Sequence, residues 1–432
     1  MFYEGESAGQ KKIIPGVKAD MMGKYPLLPA FSALFFILFM RRVFLCHAGY
    51  AKEQLRTYIA TICFYEPCIF LMTVALPNIM NLTFRELQNA LASFGEPDYR
   101  AVQIHQWLFS RHAASFDDMT ILSRALRKKL SETFEISPVQ IIDHRESSEE
   151  DCDSPTEKIL VKLPDNEMVE SVLIASSGRT TACVSSQVGC ALQCPFCATG
   201  RMGLRRNLSA GEITGQIYAL NNLIAAKEPE RKITNIVFMG MGEPLLNYEN
   251  VIEAIETLSS KNYRFCLSQK KITISTVGVT PEIQRLARSG MKTKLAVSIH
   301  AADQQKRHSI MPVASGLYPL KELAVSLAEY TSLTGMPVTL VYMLMKGIND
   351  SPEDARALAR FARSFLCKIN LIDYNSIINV KFKPVYSATR DMFQRSLMDS
   401  GLHVTVRKSY GTTINAACGQ LATTGMQNRN NL

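Results

Sequence analysis

Fixed-period repeats and low-complexity tracts are absent from this 432-residue chain, which excludes solenoid and linker-dominated architectures. Glycine (23) and proline (18) are ordinary in number, which excludes a collagen-like chain. Charge of one sign is in only moderate excess: 48 Lys+Arg against 39 Asp+Glu leave +9. That balance permits a polyanionic partner without requiring one. Apolar residues make up 47% and charged residues 20%, so the chain is not mainly disordered. Its length suits one large or two to three modest domains. An even, closely spaced cysteine framework is also missing. The eleven cysteines are odd in number and spread along the chain, which argues against a secreted disulfide scaffold. Three of them, Cys190, Cys194 and Cys197, fall together and read as a metal-binding cluster in a reducing compartment.

Long apolar spans are missing from the N-terminus too. The uncharged runs 25–40 and 67–84 are each shorter than the ~20 residues of a spanning helix, and Pro26, Pro29, Pro67 and Pro77 interrupt them. No clean signal-peptide cleavage site follows. Residues 1–79 therefore stand apart as a hydrophobic extension with three open readings: a membrane anchor, a packed or disordered accessory segment, or an over-extended start upstream of a natural beginning near Met80.

Thr83-Phe84-Arg85-Glu86 has the capping-box pattern and opens a helix carrying Phe84, Leu87, Leu91 and Phe94, ended by Gly95-Glu96-Pro97. A second helix carries Ile104, Trp107 and Leu108, and a third carries Leu122, Leu126 and Leu130 beside Arg124, Arg127, Lys128 and Lys129. Residues 80–135 thus form a small helical accessory domain with a basic edge. Taken alone, that edge is an ordinary solvated helix face. Residues 136–179 hold a polar linker and a β-hairpin over 158–163 and 168–174. From 180 to 421 strand and helix alternate: strands over 233–239, 271–276, 294–300, 338–345, 369–374 and 403–407, and helices over 250–258, 282–289, 320–330, 352–365 and 389–400. Residues 422–432 are a tail. Repeated βα units imply an α/β fold with a parallel sheet, and six or seven units are too few for a closed eight-fold barrel. An incomplete barrel is expected first and an open doubly wound sheet second; either puts chemistry at the carboxyl ends of the strands.

The motif that carries chemistry is Cys190-Ala-Leu-Gln-Cys194-Pro-Phe-Cys197. Three thiolates on one tight loop can hold three irons of a [4Fe-4S] cubane and leave the fourth open to a substrate. A structural zinc would need a fourth Cys or His nearby, and none follows within about twenty residues. Cys-x3-Cys-x2-Cys is the spacing of radical S-adenosylmethionine (SAM) enzymes. The next strand ends in Met239-Gly240-Met241-Gly242-Glu243-Pro244. This reads either as a glycine turn after a buried strand or as a site for the SAM ammonium group with Glu243 as its charge partner. Ser275, Ser298, His300 and Asn349 follow later strands. Each alone is an ordinary turn residue; together they suggest one site.

Thr181–Gly200, Arg206-Asn207-Leu208, Met239–Leu245, Ser298–His300 and Asn415-Ala-Ala-Cys418-Gly-Gln-Leu421 resemble the RlmN/Cfr family of radical SAM RNA (adenine) methyltransferases, on the RlmN side, across about 82–421. The resemblance implies an incomplete (βα)6-type barrel and the following roles. Cys190, Cys194 and Cys197 hold the [4Fe-4S] cluster. Gly242, Glu243, Ser275, Ser298, Ile299, His300 and Asn349 line the SAM site. Cys418 becomes S-methylated, Cys183 resolves the adduct through a transient disulfide, and Glu170 accepts a proton. Two SAM are consumed per turnover. The implied substrates are an adenosine of large-subunit ribosomal RNA and the adenosine beside the anticodon in tRNA, methylated at C2. The implied electron donor is external and flavodoxin-like. A monomer in the cytoplasm, with no membrane partner, is expected. The remaining cysteines read as core packing. Two motifs depart from the family: Thr413-Ile414 stands where it has Asp-Ile, and Asp373 and Ser376 stand where it has prolines. C8 methylation of the Cfr type, or a non-catalytic iron–sulfur or zinc RNA-binding protein, are the alternatives.

Overall fold

A computed structural model describes residues 76–111, 113–136, 139–148, 155–176, 178–228, 230–260 and 267–421. The extension before residue 76 with its three readings, the tail from 422, and Cys46, Cys63, Cys68, Cys152 and Cys266 lie outside the described residues. Among the described residues no helix is long and apolar enough to cross a membrane.

Three helices open the fold: α1 (Phe84–Ser93), α2 (Tyr99–Ser110) and α3 (Arg124–Thr133). The capping box at Thr83 is formed, with Thr83 Oγ1 accepting from Glu86 N and Glu86 Oε2 from Thr83 N, both at 2.9 Å. Leu87, Leu91, Ile104, Leu126 and Leu130 are fully buried or nearly so, and each such side chain contributes roughly 1.5–3 kcal/mol. Leu122 joins this core from just before α3, whose cap is Ser123. Ile79 is also in the core and donates its N–H to Glu135 O at 2.9 Å, so the helical unit takes in residues ahead of Met80. On the basic edge, Arg127 bonds Asp117 O and Lys129 lies over the Phe94 ring, so much of it is tied locally.

Ten strands follow in one sheet: β1 (Gln140–Glu146), β2 (Glu157–Lys162), β3 (Met168–Ser176), β4 (Arg179–Cys183), β7 (Asn235–Phe238), β8 (Ile272–Thr276), β9 (Lys294–Ser298), β10 (Val338–Leu344), β11 (Cys367–Asp373) and β12 (Val404–Arg407). A separate pair, β5 (Gln187–Gly189) and β6 (Leu204–Asn207), flanks the cysteine loop. The expected hairpin is β2–β3. It belongs to an antiparallel run, β1 to β4, that continues into the barrel sheet. From β4 to β12 all pairs are parallel and their order is sequential. Crossovers of one hand then place the helices on one face, which is barrel winding; a doubly wound sheet would reverse its order at a switch point. Strand alternation confirms two faces. Leu295, Val297, Leu340 and Tyr342 pack with the helices, whereas Ala296, Val341 and Met343 pack with Leu192 and Phe196 of the cysteine loop.

One long helix escaped sequence reading: α5, at Ala210–Lys227, following the short α4 at Ala198–Arg201. Its buried face is partly polar, which blurs the helical period. Gln216 is fully buried and bonds Ser171 and both backbone groups of Ser185. The Ser209–Glu212 capping box was the available signal. The helical domain docks here. A Cβ on Gly211 would sit 2.1 Å from Asn81 Oδ1, so only glycine allows the approach, and Tyr218 completes the helical core.

Candidate active site

The cysteine loop leaves β5 through Gly189 in the left-handed region, turns at Gln193 (φ 47°) and closes with Cys197 N donating to Cys194 O at 3.0 Å. A Cβ on Gly200 would lie 2.8 Å from Cys194 N, so the loop can fold back on α4 only with glycine there. Burial pushes the Cys190 thiol up to about 12 and also raises Cys194 and Cys197, with charge on neighbouring groups adding to it at all three. Such thiols resist ionising alone; a bound cation reverses that preference. Sulfurs around one tetrahedral zinc lie about 3.8 Å apart. Among the described residues the group of ligand atoms converging within 4.8 Å is instead His144, Glu146 and Glu157, where Lys227 is already ion-paired. The wider cysteine trio suits a polynuclear cluster.

A cavity opens beside this loop at the carboxyl ends of the strands. Of the residues expected to bind SAM, Gly242, Glu243, Ser275, Ser298 and His300 line it. Ile299 and Asn349 do not; both are fully buried behind it. Asn349 acts as a brace: its Nδ2 donates to His300 O (2.6 Å) and Met343 O (2.7 Å), and its Oδ1 accepts from Met345 N (2.7 Å). His300 has φ 53°, and its Nδ1 accepts from Met343 N at 3.1 Å, which leaves the proton on Nε2. Burial first, and then Arg307, lower it to about 3, so the ring is neutral. Gly240 and Gly242 let the turn lie on the segment behind: added Cβ atoms would meet Val184 at 2.7 Å and Gln187 at 2.5 Å. Burial pushes the Glu243 carboxyl up to about 7 even though Val277 N–H, at 2.9 Å, donates to it.

Cys183 ends β4 and Cys418 lies in the C-terminal loop, yet both line one smaller cavity that shares Met239, Ile372, Arg407 and Cys418 with the larger one. Both are free thiols. Long-range hydrogen bonds fasten the loop. Ala198 N donates to Gly419 O (2.8 Å), Thr199 Oγ1 to Leu421 O (3.1 Å), Asn375 Nδ2 to Cys418 O (3.2 Å), and Gln420 Nε2 to Ser376 O (3.0 Å). At the two departures from the family motif, Asp373 pairs with Arg390 at 2.9 Å and Thr413 lies in a single 3-10 turn. Burial pushes Cys183 up to about 12, with charge on Cys418 adding to it and Arg407 opposing it. Glu170 is buried and lines neither cavity; it pairs with Lys158 at 3.1 Å, and Lys158 Nζ donates to Asn415 O at 3.2 Å. Sequence reasoning missed Lys158, Met239, Asn375 and Arg407. Arg407 was within reach, since it ends the last strand.

A partial parallel barrel with a three-cysteine loop at its carboxyl face defines the radical SAM class. Residues 184–362 match the radical SAM superfamily and residues 77–136 match the N-terminal domain of ribosomal RNA large subunit methyltransferases. The chain is 75% identical to a probable dual-specificity RNA methyltransferase RlmN of Pelodictyon phaeoclathratiforme over 81% of its length and 98% of that protein's. It is 61% identical to the protein so named in Chlorobium phaeovibrioides, over 83% and 96%. A crystal structure of a radical SAM methyltransferase from Sphaerobacter thermophilus is similar, with TM-score 0.75, 40% identity and coverage of 80% and 99%. The chain belongs to the RlmN family of radical SAM RNA methyltransferases.

Proposed function

We propose that this chain methylates C2 of an adenosine in large-subunit ribosomal RNA and of the adenosine beside the anticodon in tRNA, through S-methylated Cys418 and a covalent protein–RNA adduct. The observation that carries this reading is the shared cavity of Cys183 and Cys418 beside the cluster loop. Cys190, Cys194 and Cys197 would hold a [4Fe-4S] cluster, and Glu243, Ser275, Ser298 and the loop braced by Asn349 would hold SAM. When bound, the cluster supplies the electron, drawn from a flavodoxin-like donor, that cleaves SAM to a carbon radical.

Adenine C2 is an electron-poor carbon that cannot displace a methyl from a sulfonium, whereas a thiolate can. The Cys418 thiolate attacks the methyl of one SAM; the new S–C bond forms as the sulfonium bond breaks, and S-adenosylhomocysteine leaves. That methyl carbon becomes the new ring substituent, so a second SAM is spent as radical source: its radical would take one hydrogen atom from the Cys418 methyl, the methylene left behind would bond to C2, and the adduct would give one electron back to the iron–sulfur site as the ring proton leaves. Strand alternation puts Glu170 and Ile174 on one face of β3, beside Cys183, which pairs in register with Val172. Positioned by its ion pair with Lys158, Glu170 takes the ring proton. The Cys183 thiolate then attacks the Cys418 sulfur: the S–S bond forms as the Cys418 S–C bond breaks, the electron pair passes to the departing carbon, which takes up a proton to become the methyl group on C2, and an external thiol reduces the disulfide before the next turnover. The helical domain presents its basic edge to RNA, and the enzyme works as a cytoplasmic monomer. Mass-spectrometric mapping of the methylated carbon in RNA exposed to the purified enzyme tests the reading: methyl at C2 supports it, and methyl at C8 moves the chain to the Cfr chemistry.

A further inference from the structure

Arg307 lies in the short helix Gln304–Ile310, and its side chain is fully buried. No carboxylate lies within ion-pair distance of it among the described residues. Its Nη1 donates to Tyr318 O at 2.8 Å and its Nη2 to Val277 O at 2.7 Å, while Nε is buried with no partner. Two neutral carbonyls satisfy donors but do not balance a charge. Buried cations are almost always paired, and one that is not points to a missing partner.

The surroundings indicate where that partner sits. Ile310 and Met311, at the end of the same helix, pack in one apolar cluster with Leu192, Cys194 and Phe196. Val277 accepts from Arg307 through its carbonyl and gives its N–H to Glu243 Oε2 at 2.9 Å, so one residue links the guanidinium to the cavity. Val277 itself lines the cavity together with Cys190, Cys194 and Cys197.

We propose that Arg307 is the fixed positive charge that raises the reduction potential of the cluster held by Cys190, Cys194 and Cys197, and that it acts from behind Cys194. Three thiolates give the site net negative charge, and one-electron reduction adds another in a dry surrounding. A cation that cannot be hydrated or neutralised favours that reduced state. Arginine suits the position because its planar guanidinium can reach both carbonyls at once while carrying the charge. Arg307 is thus a positioning and tuning residue that touches neither SAM nor RNA. The inference rests on the cluster assignment above.

The test is a redox titration of the anaerobically prepared, cluster-loaded full chain, followed by electron paramagnetic resonance, comparing wild type with Arg307→Gln and Arg307→Lys. Absence of an iron–sulfur signal in wild type would refute the cluster assignment itself. With the cluster present, Arg307→Gln should need a more negative potential for half reduction. The expected loss is about tenfold in the reduced-to-oxidised ratio at fixed potential, equivalent to about 59 mV for one electron. Arg307→Lys should recover most of it. An unchanged midpoint in Arg307→Gln, or equal shifts in both variants, overturns the proposal and leaves Arg307 as a tie between two carbonyls. If Arg307→Gln fails to load iron while keeping a native circular dichroism spectrum, loading of Arg307→Lys supports the charge. Failure of both to load contradicts it.

Discussion

Two irregular loops meet at the carboxyl face of the barrel, and they are held in different ways. The cysteine loop is local: its turn closes between Cys194 and Cys197, and glycines at 189 and 200 let it fold on itself. The C-terminal loop makes short turns of its own, with Ala416 N donating to Gly411 O at 2.8 Å and Gln420 N to Ala417 O at 3.0 Å, but these do not fix its place on the barrel. Residues far away in the chain hold it: Lys158 at Asn415, Asn375 at Cys418, Thr199 at Leu421. The metal half of the chemistry is therefore written in short-range spacing, and the carbon-transfer half depends on tertiary structure. Mutations should separate the two.

The largest effect is expected in the first loop. Replacing Cys190, Cys194 or Cys197 by alanine should abolish the cluster absorbance of anaerobic protein and all SAM cleavage. Retention of both by the triple variant would break the comparison. Changes at Cys183 and Cys418, the two thiols of the smaller cavity, should leave the absorbance intact and divide the reaction. Cys418→Ala should carry no methyl and form no adduct. Cys183→Ala should take the methyl, add to RNA and stop, giving protein crosslinked to RNA that ribonuclease trims to a nucleotide. Equal crosslinking by both variants would exchange or cancel their roles.

A smaller effect is expected at the clamp. Lys158 and Glu170 are both buried, and Lys158→Met removes one partner of a buried ion pair, at a cost of roughly 3–5 kcal/mol. The variant should show a lower melting temperature and slower S-methylation of Cys418 with its cluster spectrum retained. Normal methylation would mean that the loop does not depend on this tie. Asn375→Ala removes a single hydrogen bond, about 0.5–1.5 kcal/mol, and should slow S-methylation only a few-fold.

The smallest effect is a pH dependence. With its pKa raised to about 7, Glu243 is largely protonated in the free enzyme below neutrality. A SAM ammonium group prefers the carboxylate, so SAM binding should weaken as pH falls through 7 and strengthen above it. Calorimetry on cluster-loaded protein checks this. Glu243→Gln should bind more weakly and lose that slope.

What was legible in the sequence follows the same division. The capping box at Thr83, the three-cysteine spacing and most strand–helix alternation are local signals, and all appear in the structure. The ends of β7, β8 and β9 all line one cavity, because a parallel sheet aligns its carboxyl ends. Four things were not legible. The α5 helix buries polar residues that break its period. Strand β1 alternates weakly and is mostly exposed on both faces, so it lacks an apolar signature. Asn349 and Ile299 could be assigned to the site but not to its inner supports, because burial depth is set by packing that no motif encodes. The Lys158–Asn415 bond spans most of the chain, and no spacing rule reaches that far.

The central claim is that the C-terminal loop delivers Cys418 as the methyl acceptor while Cys183 waits beside it. Mass spectrometry of the peptides carrying these two residues, from cluster-loaded protein supplied with SAM, tests it most directly. The account predicts one methyl group on Cys418 and none on Cys183. An unmodified Cys418 in protein that holds its cluster and cleaves SAM, or a methyl on Cys183, would contradict it.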